Sequence, residues 1–336
     1  MPVRSTDLLI DVHSHYMPRA LERALVKREV APRILKRDGA PYILYGEGAG
    51  SPLKPEFLEP DLILEGMDQA HIDHAVLSVT IPGVDWLEPA EAEAVAAEAN
   101  EQTAAIVKQH PDRFSGLATV PLQSPDRAVA VLERALGMGL KGTLIYSNVA
   151  GSHLDEAPRR AFFDAAAAMS APVMLHPTYP LCAPSVNSRS LMEMAGFLFD
   201  TTTAALRLVL DGLYERHSDF KLLLPHTGSF IPYFSGRIDL IAEARPGARG
   251  EVTVAPSAHI KRFYVDTVCA SPLSVRYCCD FFGVDRVMHG TDHPFFPMTT
   301  GPGLLDRVGL TAAERAKVEH LNAAHFFDLH IPARHG

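Results

Sequence analysis

The stretch Leu8-Leu9-Ile10-Asp11-Val12-His13-Ser14-His15-Tyr16-Met17-Pro18 runs an apolar segment into two histidines and a proline. Leu8–Val12 reads as a strand buried on both faces. Alternate residues of an extended chain point the same way, so the imidazoles of His13 and His15 can face one centre. The same grammar returns along the chain. His74–Val79, Gly116–Val120, Gly142–Tyr146, Pro172–His176, Lys221–His226, Phe263–Thr267 and Arg286–Gly290 are short runs of Val, Ile, Leu, Thr or aromatic residues bounded by Gly, Pro or polar residues. Helical spacing of apolar residues fills the intervals, over Asp61–Ala70, Ala90–Gln109, Asp126–Leu136, Arg159–Met169, Ala204–Arg216, Tyr233–Ala244, Leu273–Phe282 and Ala312–Phe326. Strands alternating with helices in this number predict an α/β fold, a (β/α)8 TIM barrel, rather than an open doubly wound sheet. One domain over residues 1–336 is expected. Residues 19–60 have no strong period and are rich in Arg, Lys, Pro and Gly. They read as an insertion after the first strand, with a helix and a hairpin around Tyr42–Tyr45, on the C-terminal face where barrel active sites form.

Composition narrows the class. Among 336 residues, 31 Lys+Arg against 40 Asp+Glu give a net charge of −9. That balance argues against a nucleic-acid or anionic-membrane partner, either of which needs a basic face. No apolar run is long enough for a membrane span, and the N-terminal residues lack the apolar core of a signal peptide. Cys182, Cys269, Cys278 and Cys279 have no C-x-x-C spacing, which fits buried thiols in a reducing, cytoplasmic setting.

Chemistry collects at the ends of the predicted strands. His176 closes Val173-Met174-Leu175-His176, His226 closes Leu222-Leu223-Leu224-Pro225-His226, and Asp292 follows His289-Gly290-Thr291. With His13 and His15, these residues would converge on one cavity in a closed barrel. Imidazole nitrogen and carboxylate oxygen suit Zn²⁺ and tolerate Mn²⁺ or Fe²⁺. An open coordination position would hold a water, which zinc can bring to a pKa near ~7. Single histidines at strand ends are more often structural; it is their joint placement that predicts a metal site.

The motifs Asp11-Val12-His13-Ser14-His15-Tyr16-Met17-Pro18, Gly66-Met67-Asp68-Gln69, His110-Pro111-Asp112-Arg113-Phe114, Leu175-His176-Pro177, Pro225-His226-Thr227-Gly228 and Gly290-Thr291-Asp292-His293-Pro294-Phe295 run in this order over nearly the whole chain. On them the sequence resembles the amidohydrolase superfamily, in its amidohydrolase-2 branch of metal-dependent decarboxylases, the aminocarboxymuconate-semialdehyde decarboxylase type. The resemblance implies one divalent metal, Zn²⁺ first and Mn²⁺ or Fe²⁺ next, held by His13, His15, His176 and Asp292. It implies His226 as the acid/base residue beside a metal-held water. Two-metal relatives use a modified lysine on the fourth strand. Gly142–Tyr146 has none, and Lys141 precedes it at the wrong end, so one metal is expected.

The resemblance also implies a substrate-carboxylate contact from Arg237, eleven positions after His226, reaching across a homodimer. The second carboxylate-binding arginine of that type falls near Tyr42 or Ile43, which departs from the pattern; Lys54, Arg19 or Arg189 are the available substitutes. Phe295, His293 and Trp86 are candidate substrate contacts, Phe296 a further wall residue, and Asp11 and Asp266 candidate supports of the ligands. His289 is expected in packing. The activity implied is non-oxidative decarboxylation of a small unsaturated or aromatic carboxylic acid. The alternatives are a lactone or amide hydrolase or a hydratase on the same site, or a scaffold that keeps a metal for stability.

Overall fold

The computed structural model describes residues 8–331. Eight strands carry the fold: β1 Ile10–Tyr16, β2 His74–Val79, β3 in two pieces (Phe114–Gly116 and Ala118–Thr119), β4 Thr143–Tyr146, β5 Val173–His176, β6 Leu222–Leu224, β7 Tyr264–Asp266 and β8 Val287–Met288. Every residue in them is buried, the pattern of parallel strands covered inside and outside. Each pairs in parallel with the next in sequence. Leu117 interrupts β3, yet its N–H reaches Leu77 O at 2.8 Å while Ala118 N–H reaches Gly142 O at 2.9 Å, so the two pieces serve the two neighbours.

Backbone bonds also join the two end strands. Val12 N–H donates to His289 O at 3.0 Å, Asp292 N–H to His13 O at 2.7 Å and His15 N–H to His293 O at 2.7 Å. These bonds bring the segment after β8 alongside β1, as a barrel requires. Gly290 permits the approach. A Cβ there would stand 3.0 Å from His13 Cβ and 3.1 Å from Asp266 Cβ, tighter than most packed side-chain contacts, so these neighbours would have to give way.

Two expectations shift. The strand expected over Leu8–Val12 extends through Tyr16, so His13 and His15 lie within it. Pairing with β2 on one side and the β8 end on the other buries these polar residues despite their type. The β1–β2 register slips between Asp11 and Ser14, an irregularity that re-aims side chains where barrels place their sites. Residues 19–60 hold more sheet than expected. Helix Arg19–Val26 buries Ala20, Leu21, Ala24 and Leu25 on one stripe. Beyond it, Arg33–Arg37, Ala40–Gly46 and Ala49–Pro52 form a three-stranded antiparallel sheet. This segment meets the loops that follow β5 and β8. The Tyr179 ring fills the space a Cβ on Gly46 would need, Tyr179 Oη–H donates to Glu47 O at 3.3 Å, and Lys54 Nζ donates to Pro294 O at 2.8 Å. Among the described residues, no helix is long and apolar enough to cross a membrane.

Candidate metal centre

The strand ends bring the expected residues together. His13 Nε2 lies 2.9 Å from His15 Nε2, which lies 3.1 Å from His176 Nε2. Asp292 Oδ1 is 3.3 Å from His13 Nε2 and 3.2 Å from His15 Nε2. His226 Nε2 is 3.4 Å from the other oxygen, Asp292 Oδ2. Donor atoms of His13, His176, His226 and Asp292 all fall within 4.8 Å of one another, so His226 is inside donor reach as well as His15.

Hydrogen bonds on the far side of each ring decide what faces the centre. His176 Nδ1 donates to Pro177 O at 2.7 Å and His13 Nδ1 to Asp266 Oδ2 at 2.7 Å. His15 Nδ1 sits 2.9 Å from Ser78 Oγ, whose own hydroxyl donates to Ser14 O at 3.3 Å, so the ring donates there too. In neutral imidazoles this leaves the Nε2 lone pairs pointing inward. Lone pairs about 3 Å apart repel unless a positive charge lies between them. Asp292 Oδ1 is buried and accepts no hydrogen bond among the described residues. The centre therefore calls for a cation, and the donor set fits a divalent metal.

Electrostatics agree with that demand. Burial drives the His15 imidazole down to about 4. Burial, with His15 and His13 beside it, holds His176 well below its ordinary value. His13 goes the other way: burial opposes its charge, but the charge of Asp292 and the charge and hydrogen bond of Asp266 lift it to about 10. Burial would raise Asp292, yet the charge of His13 and the imidazoles of His13, His15 and His226 crowded about it hold it well below the usual carboxylate range. The carboxylates favour a positive charge at His13, and a divalent ion meets the same need.

Backbone geometry places the donors. Asp292 has φ 61°, and His226 and Thr227 have φ 57°. Left-handed non-glycine residues cost roughly 1–2 kcal/mol each, and such costs concentrate where a side chain must be aimed. Asp11 steadies the β8 end: its Oδ1 accepts from His13 N–H at 2.9 Å and Thr291 N–H at 3.0 Å, and its Oδ2 accepts from Thr291 Oγ1–H at 2.5 Å. Burial pushes its carboxyl up to about 6 against those bonds.

The other candidates lie further out. The Phe295 ring is 5.8 Å from the His15 ring and 5.1 Å from Phe57, so an aromatic wall stands beside the centre. His293 faces Gly66 on helix Pro60–Ala70, and its Nε2 is buried without a hydrogen-bond partner among the described residues. Trp86 is half-buried, and its carbonyl accepts from Arg28 of the insertion at 2.9 Å. Neither ring stacks edge-on or face-on against a histidine of the cluster among the described residues. Phe296 is exposed at 54 % and His289 is fully buried. Arg237 is exposed on helix Ile231–Ala244, with no carboxylate in salt-bridge reach among the described residues. Of the substitutes for the missing arginine, Arg19 is paired with Glu22 and Glu59, and Arg189 is exposed. Lys54 reaches the carbonyl next to Phe295. Lys141 Nζ instead donates to Asp328 O at 3.1 Å, away from the cluster. Ser78 and Phe57 were not anticipated; the signal for Ser78 was a lone hydroxyl near the end of a strand whose only other polar residue is His74.

The amidohydrolase family matches residues 10–329, and the chain belongs to it. Its fold is the barrel of that family. It is 29 % identical over 241 residues to 2-amino-3-carboxymuconate-6-semialdehyde decarboxylase of Dictyostelium discoideum, covering 70 % of this chain and 67 % of that protein. It is 29 % identical over 294 residues to gamma-resorcylate decarboxylase of Rhodococcus jostii, covering 80 % and 87 %. Among solved structures, 5-carboxyvanillate decarboxylase of Novosphingobium aromaticivorans superposes with TM-score 0.86 at 25 % identity, covering 96 % of this chain and 97 % of the other. That structure is of a mutant with bound manganese and 3-methoxy-4-hydroxy-5-nitrobenzoic acid.

Proposed function

We infer that this protein is a metal-dependent non-oxidative decarboxylase of a small aromatic or unsaturated carboxylic acid. The observation that carries the reading is the convergence of three imidazole Nε2 atoms and Asp292 Oδ1 on one point, with His226 against the second Asp292 oxygen. The decarboxylase relatives support the reaction class. His13, His15, His176 and Asp292 would hold one ion. Zn²⁺ suits a set of three imidazoles and one carboxylate, and Mn²⁺ is the second choice because a relative holds it. When bound, the ion supplies Lewis-acid attraction for a substrate oxygen.

The chain's own residues supply the rest. His226 holds a proton at Nε2 and delivers it to the carbon bearing the carboxylate. The carbon–carboxyl bond then breaks, its electron pair returns to the π system, and CO₂ leaves; nothing is oxidised or reduced. Asp292 acts twice, as ligand through Oδ1 and as orienting partner of His226 through Oδ2. Phe295, backed by Phe57, packs the ring of the substrate and keeps water away. Lys54 is the candidate for the missing second cation, and His293 and Trp86 border the pocket with the insertion 19–60, which we take as part of a single domain.

Arg237 we assign to the substrate carboxylate of a partner subunit in a homodimer. It shares its helix with Tyr233 and Leu240, 80 % and 63 % exposed, and apolar exposure of that extent favours a protein contact. Four free cysteines suit a cytoplasmic location.

The test is CO₂ release by the metal-loaded enzyme from hydroxybenzoates, carboxymuconate-type acids and lactones. Release from an acid is expected. Ring opening of a lactone without CO₂ would replace the decarboxylase with a hydrolase, and silence across the panel with metal bound would favour a scaffold.

A further inference from the structure

One buried carboxylate touches both halves of the centre. Asp266, the last residue of β7, has no exposed surface. Its Oδ2 accepts from His13 Nδ1–H at 2.7 Å. Its Oδ1 accepts three backbone N–H groups, from His226 at 2.7 Å, Val268 at 3.0 Å and Thr227 at 3.4 Å. His226 and Thr227 form a left-handed pair, with φ, ψ of 57°, 50° and 57°, 30°. Successive N–H groups in such a turn converge on an anion, and Asp266 is that anion. From the other side, Cys278 Sγ–H donates to Thr227 O at 3.0 Å, and the Phe282 ring packs on Gly228. The turn leaves His226 Nε2 facing Asp292 Oδ2.

We propose that Asp266 is a positioning residue that sets the ligating tautomer of His13 with one oxygen and fixes the turn presenting His226 with the other. The proposal rests on the metal-centre reading given under Proposed function. It makes the ligand and the proton-transfer group parts of one rigid unit, although they are 213 positions apart, 226 − 13 in the numbering.

The two duties separate under substitution. In Asp266→Asn, the amide oxygen must face the three backbone N–H groups, because the reverse orientation points an NH₂ at three donors. The NH₂ then faces His13 Nδ1, which can only accept. The imidazole proton moves to Nε2, and the lone pair no longer faces the centre. Asp266→Ala removes both supports.

Wild type and both variants are stripped with a chelator, then titrated with Zn²⁺ and with Mn²⁺ against a chromophoric competitor; melting of the stripped proteins and turnover at saturating metal are measured alongside. Expected is a roughly 10–100-fold loss of metal affinity in Asp266→Asn, in the range for carboxylates that hold metal-ligating histidines. Its melting stays near wild type and turnover recovers to within about tenfold once metal saturates. In Asp266→Ala the same affinity loss comes with lower melting, and turnover does not recover. Should both variants fail to fold, ¹⁵N correlation spectra of zinc-loaded wild type, labelled at histidine, read the His13 tautomer directly; a proton on Nδ1 is expected. Wild-type affinity in Asp266→Asn, or a proton on Nε2, overturns the inference alone. Failure of wild type to bind either ion overturns the metal reading and this inference with it.

Discussion

The centre and the helix that bears Arg237 are both polar features of the same molecule, built on opposite principles. His13, His15, His176 and Asp292 are each less than a tenth exposed; the three histidines sit within strands and are held by hydrogen bonds from behind, and Asp292 sits on the turn four residues past β8. Arg237 stands exposed on Ile231–Ala244 with no carboxylate among the described residues to hold it. A buried, bonded donor loses little freedom when a ligand binds. A long exposed side chain is ordered only by what it meets, and loses conformational entropy in doing so. The centre is thus built to hold a ligand at little entropic cost, and the exposed face of the Arg237 helix becomes ordered only against whatever it meets.

The contrast is broken most severely at Asp292. Asp292→Asn keeps the shape but removes the charge opposite His13 and the second acceptor for His226. Metal content by elemental analysis is expected to fall well below one equivalent, and turnover to drop beyond the ~10²–10⁴ that one acid–base group is worth. Full metal content would mean the imidazoles suffice. His226→Asn comes next: metal content near wild type with turnover down by roughly 10²–10⁴. Loss of metal here would recast His226 as a ligand, a role within its geometric reach.

Arg237→Ala tests the rim. Removal of a charge-assisted hydrogen bond worth about 1.5–3 kcal/mol should raise KM about 10–100-fold, with kcat and metal content little changed. If Arg237 serves a partner's site, mixing this variant with His226→Asn should restore activity in hybrid dimers. A normal KM with a monomeric mass in solution would remove both the contact and the dimer.

The two regions were unequally legible in the sequence, for the same physical reason. Histidines and an aspartate at the ends of apolar runs stand out because such runs tolerate few polar residues, and parallel topology sends their ends to one place. His13, His15, His176, His226 and Asp292 could therefore be gathered before any coordinates. Their supports were legible only in part. Asp11 and Asp266 could be named as candidates from their places beside the ligand pair and at a strand end, but not which ring or turn each holds; Ser78 was missed altogether. Asp266 and Ser78 matter through bonds to rings 253 and 63 residues away in sequence, which no local pattern encodes. The extension of β1 to Tyr16 was hidden because a polar strand is stable only between two partners. Ala49–Pro52 was missed because Ala-Gly-Ser-Pro has little β-propensity of its own and becomes a strand by pairing with Ala40–Gly46. Helical periods were legible, but the π turns at Met192–Gly196 and Lys317–Leu321 were not.

The smallest expected effect on turnover comes from a carboxyl that shares the burial of the centre without its partners. Asp85 is 5 % exposed, and its Oδ1 accepts from Leu122 N–H at 2.9 Å. Burial pushes it up to about 7, outweighing that bond and the charge of Arg159. The unfolded chain releases this proton near 3.8, so between about pH 4 and 7 the folded state holds a proton the unfolded state has lost. Stability from this group therefore falls as pH rises through that window and stays low above it, by on the order of 4 kcal/mol in all. Asp85→Asn keeps an acceptor for Leu122 and carries no charge. Its gain in unfolding free energy over wild type should be near zero at about pH 4, intermediate at about pH 5.5 and largest at about pH 8, with turnover almost unchanged. Urea melts at those three pH values measure it. A gain independent of pH would mean that packing, not the buried charge, sets the cost; a loss at the highest pH would mean that Asp85 has a cationic partner in solution and belongs with the centre after all.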